Sequence, residues 1–130
     1  MRQNEEDTRI ILIVEDDEST GEFFVLAISE ETSYHVQLVT NGADALEFVQ
    51  DNKPCLIILD YHLPDMTGIE LFDQLHVLPH LRDVNIVLMS ASQRRDRVEK
   101  RNIVVLDKPF ELDEFIQTVE RYIAPLSVGS

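Results

Sequence analysis

Cys55-Leu-Ile-Ile-Leu59 is an unbroken apolar run that stops at Asp60. A run of that length without alternation reads as a strand covered on both faces, the pattern of a parallel sheet. Such a strand carries Asp60 to its own C-terminal end. Pro64 and Gly68 punctuate the following stretch, Tyr61 to Thr67, before a helical pattern opens at Ile69, so Asp60 stands at the mouth of a strand-to-helix connection. In open α/β sheets, ligands bind at that edge.

The rest of the chain repeats the arrangement. Ile10 to Val14 is a second all-apolar run and ends on three acids, Glu15, Asp16 and Asp17. Ser19 and Glu22 have the capping-box spacing, so a helix is expected from about there to Glu30, with Phe23, Leu26 and Ala27 facing inward. Tyr34 to Thr40 has strand composition and Asn41-Gly42 marks a turn. Ala43 to Gln50 reads as a short helix with Leu46 and Val49 on its apolar edge. Ile69, Phe72 and Leu75 give the next helix its face, which Pro79 is expected to close. Val84 to Met89 is the fourth strand, ending on Ser90, and Ile103 to Leu106 is the fifth, ending on Asp107-Lys108-Pro109. The last helix sets Leu112, Phe115, Ile116, Val119 and Ile123 at helical spacing, with Glu111, Asp113 and Glu114 where the helix dipole favours acids. Five strands alternating with helices predict a doubly wound α/β domain with a parallel sheet.

With 130 residues and 44% apolar content, one domain with one core is expected. A formal net charge of -14 argues against binding nucleic acid or a membrane surface, because phosphate would be repelled. No apolar run is long enough to cross a bilayer, and the polar start Met1 to Asp7 lacks the basic-then-apolar pattern of a signal peptide. A cytoplasmic location is the expectation. The single cysteine, Cys55, reads as a small core residue. His76 and His80, split by Pro79, read as solvated rather than as ligands.

If the strands are parallel, their C-terminal ends share one edge and bring together residues distant in sequence: Glu15, Asp16, Asp17, Asp60, Ser90 and Lys108. Carboxylates crowded into a small site repel one another and create demand for a divalent cation. An all-oxygen site suits Mg²⁺, which keeps waters and takes one or two protein carboxylates. Lys108 adds a compact positive charge and Ser90 a hydroxyl donor. Together they would hold a group with several anionic oxygens, such as a phosphoryl group.

The segments Val14-Glu-Asp-Asp17, Ile58-Leu-Asp-Tyr-His-Leu-Pro-Asp-Met-Thr-Gly68, Met89-Ser-Ala91 and Asp107-Lys-Pro-Phe110 resemble the receiver domain of two-component response regulators. The resemblance runs from about Ile10 to Ala124 and implies a flavodoxin-like fold with strand order 2-1-3-4-5. It marks out a polar N-terminal tail at 1–8, a receiver domain at 9–124 and a C-terminal tail or linker at 125–130. By the same resemblance Asp60 is the phospho-acceptor, which attacks the phosphohistidine of a histidine kinase or phosphotransfer protein. Asp16 would ligate Mg²⁺ directly, with Asp60 and the backbone carbonyl of His62, while Glu15 would act through water. Ser90 would hydrogen-bond the phosphoryl oxygen, Lys108 would neutralise it, and the Lys108–Pro109 peptide would be cis. His62 and Ser92 occupy the variable positions that tune acyl-phosphate lifetime. Partners would be the kinase or phosphotransfer protein and a downstream target or an effector domain outside this sequence; homodimerisation is left open.

Two features depart from the family pattern. Val105 stands where an aromatic residue usually sits three positions before the lysine. The stretch between Ser90 and Lys108 is short by about one helical turn, and its run Gln93 to Arg101 holds one apolar residue, Val98, among five basic ones. A short or irregular fourth helix and an atypical output surface are therefore expected. The leading reading is a phosphorylated signalling switch rather than an enzyme. The alternatives are a receiver-shaped interaction module that is never phosphorylated and an aspartate-nucleophile phosphatase; His62 stands where the acid of such a phosphatase belongs. A nucleotide-binding fold would need a glycine-rich loop after the first strand, which is absent.

Overall fold

A computed structural model of the chain describes residues 9–90 and 103–125. Five strands, β1 (Ile10–Val14), β2 (His35–Val39), β3 (Leu56–Asp60), β4 (Ile86–Ser90) and β5 (Val104–Asp107), form one parallel sheet in the order β2-β1-β3-β4-β5. Its helices are α1 (Glu18–Glu31), α2 (Gly42–Asp51), α3 (Gly68–Leu75) and the C-terminal α4 (Leu112–Tyr122). The doubly wound fold and strand order expected above are the ones observed. The tail at 1–8, the tail at 125–130 apart from Pro125, the expected fourth helix, Ser92 and the basic run lie outside the described residues.

The unbroken apolar runs have a direct cause. Along β1, Leu12 and Val14 enter the core beneath α2 and α3, whereas Ile11 and Ile13 enter the core beneath α1 and α4. Strand β3 divides in the same way, with Ile57 and Leu59 on one face and Leu56 and Ile58 on the other. Because both faces are covered, the first polar residue of β3, Asp60, comes only at the strand's last position. Strand β2, at the edge, is half-buried or exposed throughout.

Helix α1 differs from the expectation. Its N-cap is Asp17, whose Oδ2 accepts from the Thr20 amide at 2.9 Å and from its hydroxyl at 2.6 Å. Ser19 lies inside the helix, so the Ser19–Glu22 box does not form. Phe23 and Leu26 are exposed, and the buried face is Phe24, Ala27 and Ile28. The stripes 23-26-27 and 24-27-28 both have helical spacing; the second is chosen because Phe24 stacks on Phe115 of α4, with ring centroids 4.5 Å apart.

Ile69, Phe72 and Leu75 are buried as expected, but α3 ends at Leu75 and Pro79 instead opens a single 3-10 turn. The start of α3 is a capping box between Thr67 and Glu70. His76 and His80 are exposed, yet their ring nitrogens lie against the carbonyls of Phe72 (3.2 Å) and Val49 (2.7 Å). Among the described residues no helix is long and apolar enough to cross a membrane.

Candidate functional site

Strand register sets the site. Val14 pairs with Leu59, Asp60 with Met89, and Ser90 with Asp107, so all four strand ends finish at nearly one level. Backbone bonds carry the ladder one step past those ends: Tyr61 N–H donates to Met89 O at 3.0 Å and Lys108 N–H to Ser90 O at 2.9 Å. Glu15, Asp60 and Ser90 are thereby fixed on backbone that cannot shift freely. They are buried, at 3%, 7% and 3% exposure.

The three consecutive acids after β1 take three separate roles. Glu15 turns into the site, where its Oε2 accepts from the Asp17 amide at 3.2 Å. Asp16 is exposed at the rim. Asp17 caps α1, and the Thr20 hydroxyl and amide hold its carboxyl below the usual carboxylate range. Oxygens of Glu15, Asp16 and Asp60 lie within 4.8 Å of one another. Burial, and after it the Asp60 carboxylate, pushes the Glu15 carboxyl up to about 7.

Lys108 reaches this cluster from the end of β5, its Nζ 2.6 Å from Asp60 Oδ1. The Lys108–Pro109 peptide is cis. One positive charge against three acids leaves the group unbalanced, and Glu15 Oε1 is buried with no hydrogen-bond partner among the described residues. A hard divalent cation suits such a set of carboxylate oxygens with an orphaned acceptor. His62, on the loop after Asp60, is exposed and forms an isolated antiparallel bridge with Thr67. Val105 is half-buried and packs against the core beneath α2 and α3.

Glu15, Asp16, Asp60 and Lys108, singled out in the sequence, thus converge at one edge, with Ser90 at the adjacent strand end. Two further positions matter here, Gly68, which the sequence marks only as loop punctuation, and Asp65, to which it gives no role of its own. Gly68 sits so close to the acceptor strand that a Cβ would lie 2.5 Å from the Asp60 backbone oxygen. Asp65 bonds to the start of α2, a contact with no local sequence signature. The Thr67–Glu70 box was legible from its spacing.

Residues 11–120 match the family model described as response regulator receiver domain. The chain is 34% identical over 115 residues to the response regulator receiver protein CpdR of Brucella abortus, covering 87% of this chain and 95% of that one. It is 27% identical over 117 residues to sporulation initiation phosphotransferase F of Bacillus subtilis, covering 87% and 92%. Among solved structures it resembles the signal receiver domain of a signal transduction histidine kinase from Syntrophus aciditrophicus, with a TM-score of 0.79, 30% identity, and coverage of 88% and 89%.

Proposed function

Since the chain belongs to the response regulator receiver family of two-component signalling, we propose that it is a phospho-acceptor switch whose acceptor is Asp60. The reading assigns residues 9–124 to the switching unit, with 1–8 and 125–130 as tails, and places it in the cytoplasm. A carboxylate oxygen of Asp60 attacks the phosphorus of a phosphohistidine on a sensor kinase or phosphotransfer protein. A P–O bond forms, the P–N bond breaks, and the imidazole leaves as the neutral ring once protonated. The chain is regulated by this step rather than acting as an enzyme on a separate substrate.

The observation that carries the reading is the gathering of Glu15, Asp16 and Asp60 oxygens within 4.8 Å, beside a lysine 2.6 Å from Asp60. Phosphoryl transfer needs positioning and charge neutralisation more than covalent assistance, and these residues supply both. Mg²⁺ held by Asp16, Asp60 and the His62 carbonyl, with Glu15 acting through water, would offset the charge of the incoming phosphoryl group. Lys108 holds the acceptor in place and then neutralises a phosphoryl oxygen. Ser90 donates its hydroxyl to another, which biases the strand end it occupies and the surface beyond it toward a downstream target.

Intact mass after treatment with acetyl phosphate and Mg²⁺ tests the reading. The native chain should gain one phosphoryl group, and neither Asp60→Asn nor the native chain in EDTA should gain it. A native chain that takes up no phosphoryl group would sink the switch. It would favour the second reading, a phosphorylation-independent interaction module, to which Val105 in the usual aromatic position already points.

A further inference from the structure

The loop that follows Asp60 is pinned at both its base and its apex. At the base, Gly68 N–H donates to Tyr61 O at 2.6 Å and His62 bridges Thr67. At the apex, Asp65 spans the first turn of α2: its Oδ1 accepts from Gly42 N–H and its Oδ2 from Ala43 N–H, both at 2.9 Å. Met66 lies directly against Gly42, where a Cβ would stand 2.5 Å from its sulfur. Gln74 of α3 donates to that sulfur from 3.8 Å. Asn41 is itself the N-cap of α2 and accepts from Asp44, so Asp65 serves amides that the helix's own cap does not reach.

We propose that Asp65 and Met66 are positioning residues for cation binding, because they latch the acceptor loop to α2 and so hold the segment carrying the His62 carbonyl. The physical reason lies in the demands of the ion. Mg²⁺ requires near-ideal octahedral geometry, and a backbone carbonyl contributes well only if its loop is ordered before the ion arrives. The loop has no strand or helix of its own between Leu63 and Met66. Beyond the bonds at its base, its apex is held by α2, through a charge-assisted pair of bonds at a helix N-terminus. The same two amides hold the Asp65 carboxyl below the usual carboxylate range.

The inference rests on the switch reading only for the cation, and one titration series separates them. The native chain, Asp65→Ala and Met66→Ala are titrated with MgCl₂ by calorimetry, at low salt and in about 0.5 M KCl, where removal of a bare surface charge is screened. Amide hydrogen exchange at residues 42 and 43 reports the latch, and far-UV circular dichroism reports the fold. Both variants should stay folded, exchange faster at those amides and bind Mg²⁺ about tenfold more weakly at either salt concentration. Met66→Ala changes no charge, so its loss cannot be electrostatic. Variants that bind within about twofold of native at high salt, with the latch amides open, overturn the inference and leave the switch intact. A native chain that binds no Mg²⁺ overturns both.

Discussion

Strand β3 is buried at all five positions, whereas β2 at one edge of the sheet and β5 at the other are mostly half-buried or exposed. The site divides along the same line. Glu15, Asp60 and Ser90, all buried, stand at the ends of β1, β3 and β4, each flanked by strands on both sides. Lys108 follows an edge strand and its side chain is 39% exposed. A carboxylate anchored to a strand with neighbours on both sides can neither reach water nor move away from another carboxylate, so burial first, and the Asp60 repulsion after it, appear as a raised pKa, that of Glu15. The counter-charge needs no such anchoring, since a lysine's long stem lets it reach in from the solvent side.

Several measurements would break or sharpen that contrast. The largest effect should come from Ile58→Ala, which deletes a fully buried side chain at the centre of the sheet. Urea unfolding should show a loss of about 4 kcal/mol. Gly68→Ala comes next. Its new methyl would meet the Asp60 backbone oxygen at 2.5 Å and Leu88 Cδ1 at 2.7 Å. The backbone cannot yield without moving the acceptor, so a loss of about 2–3 kcal/mol is expected, together with slower phosphorylation.

Glu15 should give a pH signature of intermediate size. Its folded pKa of about 7 exceeds the ordinary 4.5, so between those values the folded state holds more of a proton than the unfolded state. Its contribution to stability is then greatest below pH 4.5 and falls as pH rises through about 7. In EDTA, Glu15→Gln should flatten this decline and stabilise the protein at pH 8 by about 2 kcal/mol, allowing for solvent screening. Parallel pH profiles for variant and native would remove the desolvation argument. The smallest effect should be that of Leu38→Ala on the edge strand, about 1 kcal/mol by the same urea measurement. If it matched Ile58→Ala, the distinction between central and edge strands would fail.

How much of this was legible depended on whether the responsible interaction is local. β1, β3 and β4 stand out because strands covered on both faces stay apolar up to their ends, and the acids and serine mark where each end lies. The convergence of Glu15, Asp16, Asp60, Ser90 and Lys108 then follows from strands running parallel. The inward stripe of α1 was misread because Phe23 and Phe24 fit helical spacing equally well, and the choice was made by Phe115, far along the chain. The cap of α1 was misplaced for a related reason. Ser19 and Asp17 are both residue types that cap helices, and the strand end, which sends Glu15 inward, brings Asp17 to the Thr20 amide and leaves Ser19 inside the helix.

Sequence by itself determined the strand ends, the helix count among the described residues and the chemistry gathered at one edge, because periodicity and strand polarity are properties of the chain alone. Tertiary structure decided which face of α1 is buried, which acid does what, and that Asp65 holds a helix 22 and 23 residues before it in the chain. Those choices lie between locally equivalent alternatives, and a partner brought near only by folding breaks the tie.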